Sequence, residues 1–141
     1  MVDVRMTDLS APTATDLSSR ADVHDLVVEV YREIVFDDLL GPVFEEVAEV
    51  RWDEHIPRLV DYWCHILFGD LDHHGSVTVA HRRLHRLTPI RAEHCDRWYG
   101  LWTECLDARW RGPNADRARH HAAVLLTGMA THVFGIDWSP G

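Results

Sequence analysis

His81 and His85, one helical turn apart in Val77-Thr-Val-Ala-His-Arg-Arg-Leu-His85, are the residues of this chain whose type and spacing point most directly to chemistry. A neutral imidazole is the commonest protein ligand for a transition metal, and a four-residue spacing puts both rings on one face of a helix. Two further clusters flank them: Trp52-Asp-Glu-His55 upstream and Asp96-Arg-Trp98-Tyr-Gly-Leu-Trp102 downstream. A short histidine-bearing helix between two long amphipathic ones suits a metal cofactor gripped between helices. A carboxylate di-iron bundle fits less well. Such sites take ExxH pairs from facing helices, and Glu93 directly precedes His94 here.

The elements that must position these side chains follow from periodicity. Residues 1–19, rich in Thr, Ser, Ala and Asp, have no sustained repeat and read as a flexible lead-in. From Arg20 to about Asp37, Leu26, Val27, Val30, Tyr31, Ile34 and Val35 recur at helical spacing. Gly41-Pro42 is a turn signal, and a short apolar helix follows it. Trp52–Phe68 is the clearest helix, with Trp52, His55, Ile56, Leu59, Val60, Trp63, Ile66 and Leu67 on one apolar face. Gly69–Gly75 is a loop, and Ser76 is placed to cap the histidine-bearing helix, which Thr88-Pro89 ends. An aromatic helix carries Cys95, Trp98, Tyr99, Trp102, Cys105, Leu106 and Trp110, and Gly112-Pro-Asn closes it. The last helix, about 115–134, presents Ala118, Ala122, Leu125, Met129 and Val133, and residues 135–141 form a tail. Nothing alternates with period two over a useful length. The fold class is all-α.

Composition narrows the function. A chain of 141 residues is most simply one domain, here 20–134, with terminal extensions. Fourteen Lys+Arg against 23 Asp+Glu give a net charge of −9, which argues against nucleic acid or an anionic membrane as partner. No apolar run approaches the ~20 residues that span a bilayer, and the first residues lack the order of a signal peptide, so a cytoplasmic location is expected. Cys64, Cys95 and Cys105 lie within helical patterns and read as buried, reduced thiols. Most of the eleven histidines, including His73, His74, His120 and His121, read as surface residues.

These residues, taken in order, resemble the truncated haemoglobins and, within them, the third group. The likeness rests on Val30-Tyr31, Asp38-Leu-Leu-Gly-Pro-Val-Phe44, Trp52-Asp-Glu-His55, Tyr62-Trp63 and Leu67-Phe68-Gly69. It continues through Gly75 six residues before His81, His94-Cys-Asp-Arg-Trp98-Tyr-Gly-Leu-Trp102 and Trp110-Arg-Gly-Pro-Asn-Ala-Asp-Arg-Ala, and covers about 20–134. The resemblance implies a truncated globin-like helical sandwich around a haem pocket, with haem b held through a proximal histidine. Counting forward from Gly75 selects His81 as the iron ligand, whereas counting back from Trp98 is at least as compatible with His85. The apolar neighbours Val77 and Leu84 favour His81 and leave His85 to meet a propionate. The chain departs from the family at Val30, where phenylalanine is usual, and by about three extra residues between the first histidine and Trp98.

On the ligand side the resemblance places Tyr31, His55 and Trp98, whose phenol, imidazole and indole N–H could stabilise the charge that bound oxygen acquires. Phe44, Leu59, Trp63, Leu84 and Ile90 are expected to pack on the porphyrin, and Arg82, Arg83 or Arg86 to pair with propionates. The implied function is binding of a diatomic gas, oxygen or nitric oxide, extending to nitric oxide dioxygenation or peroxidase-like chemistry if a reductase supplies electrons. Two alternatives compete with it. One is a haem enzyme for oxidative chemistry on an organic substrate; the other is a haem-free helical sensor or interaction module.

Overall fold

The computed structural model describes residues 14–47, 51–70 and 77–141. Five α-helices carry the fold: α1 (Arg20–Val35), α2 (Trp52–Phe68), α3 (Val77–Leu87), α4 (Ala92–Arg109) and α5 (Pro113–Met129). Short π-helical turns at Val43–Val47 and Ala130–Phe134 follow α1 and α5. No strand occurs among the described residues; Thr15 and Trp110 form an isolated parallel bridge. The all-α expectation holds. α1 packs on α2 and α4, α5 packs on α4 and α2, and α3 packs against the turn after α5.

Local sequence sets the helix boundaries. Ser19 starts α1 by accepting the Asp22 N–H at 3.2 Å, and Val23, Leu26, Val27, Val30, Tyr31 and Ile34 form its buried stripe. α2 ends at Gly69, whose left-handed φ of 74° suits glycine and whose N–H returns to the His65 carbonyl at 3.0 Å. α5 starts with Pro113 after Gly112, at φ 143°. A Cβ on Gly112 would lie 2.6 Å from Asp16 Cγ, so the site needs glycine for space as well as conformation.

The expected lead-in over 1–19 divides in two. Residues 1–13, like Ser76 and most of the Gly69–Gly75 loop, lie outside the described residues. Residues 14–19 are built into the molecule: Leu17 is fully buried, and the Asp16 carboxylate accepts the Asn114 and Ala115 N–H groups at 3.0 and 2.8 Å. It thereby caps α5 from a distant part of the chain. The 135–141 tail is likewise anchored, with Trp138 buried and its indole N–H on Asp96 at 2.7 Å. Asp37, after α1, accepts the Leu39 and Leu40 N–H groups and pairs with Arg97 of α4. The three cysteines are buried and free, as expected.

Two apolar clusters form the interior. The larger joins α1, α2, α4 and α5 around Trp63, Trp102 and Leu106; the smaller gathers Val43, Ile90, Cys95, Leu126, Met129, Phe134 and Trp138. At about 25 cal/mol per Å2 of apolar surface removed from water, such burial is the main force holding the helices together. Side chains from both clusters face a common hollow.

Candidate functional site

That hollow has a volume of about 590 Å3, within the range of small-molecule and cofactor sites. Tyr31 of α1, His55, Leu59 and Trp63 of α2, His81 and Leu84 of α3, Trp98 of α4, and Phe44 and Ile90 between helices all line it. Every side chain predicted for the site therefore meets around one cavity except His85 and, of the three arginines offered as propionate partners, Arg82 and Arg86. Arg83 also lines it and is exposed, so its guanidinium is available to an anionic group.

His85 is held differently. Its Nδ1 accepts the Ile90 backbone N–H at 3.0 Å, and its ring lies 5.4 Å from that of Phe134. An acceptor at Nδ1 places the proton of neutral imidazole on Nε2, which then lacks the lone pair that a metal needs. His81, one turn earlier, is half-buried in the cavity wall, with its ring 6.4 Å from Phe134. Among the described residues no three His, Cys, Asp or Glu side chains converge on a point that could hold a bare metal ion. A cavity offering imidazole and otherwise mostly apolar walls suits a metal that brings its own in-plane ligands, as iron does in haem.

A ring cluster forms one end of the cavity. Tyr31 lies 5.8 Å from Phe44, 5.8 Å from Trp52 and 5.7 Å from His55, ring centre to ring centre. The Trp98 indole donates to the Tyr31 phenol oxygen at 3.3 Å, which leaves the phenol's own hydrogen to be donated elsewhere. Burial pushes the Tyr31 phenol up to about 12, so it stays protonated. Burial, aided by His81 and Arg58, pushes His55 down to about 4, so its ring is neutral and offers one N–H and one lone pair. The arrangement can hydrogen-bond to a small polar ligand without placing a formal charge beside it.

Several lining residues were not assigned to the site from the sequence. Tyr62 follows His55 and Leu59 at positions i, i+4 and i+7, so helical spacing alone could have placed it on their stripe. Leu125, Leu126, Met129 and Phe134 come from α5 and the turn after it. His94, also lining, accepts the Arg91 N–H at 2.9 Å through Nδ1 and secures the start of α4. His121, expected at the surface, is half-buried, with Nε2 2.6 Å from the Tyr62 hydroxyl.

Comparison with known proteins gives the same answer in sequence and in fold. The group 3 truncated hemoglobin of Campylobacter jejuni is 28% identical over 80 residues, a match that spans 55% of this chain and 61% of that relative. The crystal structure of group III truncated hemoglobin from Campylobacter jejuni superposes with a TM-score of 0.76 over 86% of this chain and 96% of the other, at 19% identity. No protein-family model matches the chain. The chain is thus similar to the group III truncated haemoglobins, and its fold is theirs. The sequence resemblance and the truncated globin-like architecture both hold. No helix among the described residues is long and apolar enough to cross a membrane.

Proposed function

We propose, from this likeness and the cavity, that the chain is a haem protein that binds a diatomic gas, oxygen or nitric oxide. The observation that carries the reading is one apolar cavity lined by the His81 imidazole and by the neutral Tyr31–Trp98–His55 donor cluster. Haem b, when bound, supplies an iron with an open position for the gas. His81 is the proximal ligand in this reading, and His85 is held to the backbone beside it. Leu59, Trp63, Leu84, Ile90 and Phe44 exclude water and pack on the porphyrin, while Arg83 pairs with a propionate. Tyr31 and His55, with the Trp98 N–H committed to the phenol oxygen, favour retention or activation of oxygen over rapid exchange. Nitric oxide dioxygenation, the redox form of this function, also requires a reductase partner. Stopped-flow reaction of the oxygenated protein with nitric oxide separates it from storage or sensing.

Absorption spectra of the purified, reduced and carbonylated protein test the assignment. A haem spectrum that persists in His85→Ala and disappears in His81→Ala is the expected result. Loss in His85→Ala alone reverses the ligand assignment. A chain that takes up no haem when given an excess refutes the haem reading altogether.

A further inference from the structure

Four aromatic side chains run in unbroken contact from the donor cluster to a phenol–imidazole pair. Trp98 stacks on Trp102 at 5.5 Å and 10°, and Trp102 stacks on Trp63 at 4.4 Å and 25°. Trp63 meets the ring of Tyr62 edge-on at 5.6 Å and that of His121 at 5.4 Å. The Tyr62 hydroxyl ends the series, 2.6 Å from His121 Nε2. Trp102 is fully buried and Trp63 nearly so, whereas Tyr62 and His121 are half-buried. Offset stacking and edge-to-face packing need no redox role to be favourable. What packing alone does not require is a tyrosine at the end of the stack with a proton acceptor in place.

We propose that a diffusible radical oxidant entering the cavity takes one electron from the Trp98 indole and is reduced to its anion, and that Trp98, Trp102 and Trp63 relay that oxidation away from the donor cluster and end it as a phenoxyl radical on Tyr62, with His121 holding the phenolic proton. In the last step the Trp63 radical cation takes one electron from Tyr62 and returns to neutral indole. The Tyr62 O–H bond breaks, its hydrogen leaves as a proton to His121 Nε2, and the products are neutral phenoxyl and imidazolium. A soluble thiolate can then return the electron, becoming a thiyl radical, as His121 returns the proton. An oxidised phenol is far more acidic than a neutral one, so the acceptor must be in place beforehand. Burial, then His120, lowers the pKa of His121, which keeps an acceptor nitrogen available. Tyr31 makes the contrast: its hydroxyl oxygen accepts the Trp98 N–H, a donor that cannot take a proton. The relay is built from the chain's own rings and does not depend on a cofactor in the cavity.

The test is one-electron oxidation of the full-length chain by the dibromide radical anion, which attacks indoles, with low-temperature electron paramagnetic resonance as readout. A tyrosyl signal is expected in the unmodified chain and lost in Tyr62→Phe, and lost equally in Trp102→Phe, which breaks the stack but keeps Tyr62 and His121. His121→Leu is expected to slow its formation about a hundredfold, the lower range for a positioned proton acceptor. Spin trapping and peptide mapping of the unmodified chain locate the radical even if a variant fails to fold. A trapped radical on Tyr31 or Tyr99, or an undiminished signal in Tyr62→Phe or Trp102→Phe, overturns the relay. An unchanged rate in His121→Leu overturns the role of the imidazole.

Discussion

Tyr31 is the residue on which the ligand side of the cavity turns. Its ring touches Phe44, Trp52 and His55, and its oxygen receives the Trp98 indole N–H, so one phenol ties α1, α2 and α4 to the same point. If its own hydrogen is donated to the gas, Tyr31→Phe in the haem-loaded protein speeds oxygen release about tenfold, the equivalent of one hydrogen bond of about 1.4 kcal/mol. Stopped-flow displacement of oxygen by carbon monoxide measures it. The same variant removes the acceptor for Trp98 and lowers unfolding stability by about 1 kcal/mol, read from a urea midpoint. An unchanged release rate with the stability loss intact leaves the phenol a structural tie and removes it from the ligand's surroundings. Tyr31, His55 and Trp98 were named for the ligand side by the family resemblance; periodicity added only that each is a polar-tipped residue on an apolar helical stripe, where side chains point inward. The Tyr62–His121 pair was not. Periodicity puts Tyr62 on the stripe of α2 but carries no information about which side chain of α5 faces it.

At the scale of elements, the helix ends hold the least obvious interactions. Asp16 stands in a Thr-, Ser- and Ala-rich segment that reads as linker, yet its carboxylate caps a helix 98 residues further along the chain. No local pattern announces a cap supplied from so far away; Gly112-Pro113 was visible only as the stop of the aromatic helix before it, whereas in the structure Pro113 also begins α5. Asp16→Ala leaves two α5 N–H groups without their acceptor and costs about 1–2 kcal/mol, measurable by urea unfolding. Cost near zero would mean that water replaces the carboxylate fully. α4 begins on a titratable cap. His94 Nδ1 accepts the Arg91 N–H only when unprotonated, and burial, helped by the Arg91 charge, lowers its pKa below the ordinary 6.5. A histidine with a depressed folded pKa binds more protons when unfolded, so stability rises with pH across that interval. The contribution is fully present above 6.5 and is lost as pH falls toward the folded value. His94→Gln keeps a side-chain acceptor of the capping-box kind without a titrating ring. Its urea midpoint should therefore fall less on acidification than that of the unmodified chain. Parallel curves for the two would show that other groups carry the acid sensitivity.

For the whole molecule, the question is why a chain with enough apolar residues to close its core keeps a hollow of about 590 Å3. The stripes predicted for α1, α2 and α4 face the interior, whereas on the last helix Leu126 and Phe134 are buried where Leu125 and Val133 were expected; the order of motifs was enough to indicate the architecture. The hollow itself was not readable from periodicity, because a stripe facing a cavity and a stripe facing a neighbour look alike along the chain. Its walls come from α1 to α5 and from both apolar clusters, so a planar apolar group inserted there would bridge α3, which packs chiefly on the turn after α5, to α1, α2 and α4. Such a ligand binds the folded chain in preference to the unfolded one and stabilises it by linkage. At a free haem concentration a hundredfold above the dissociation constant the gain is about 2.7 kcal/mol. For a chain of this size that raises the melting temperature by about 8 °C, taking roughly 3 °C per kcal/mol. Differential scanning calorimetry with and without haem measures the rise. The comparison with His81→Ala gives the result its meaning, since the variant keeps the apolar walls and loses the proximal imidazole. A much smaller rise in His81→Ala shows that a specific iron–imidazole bond couples α3 to the rest of the fold. An equal rise shows a porphyrin adhering to greasy walls, and with it the assignment of His81 as the axial ligand is lost.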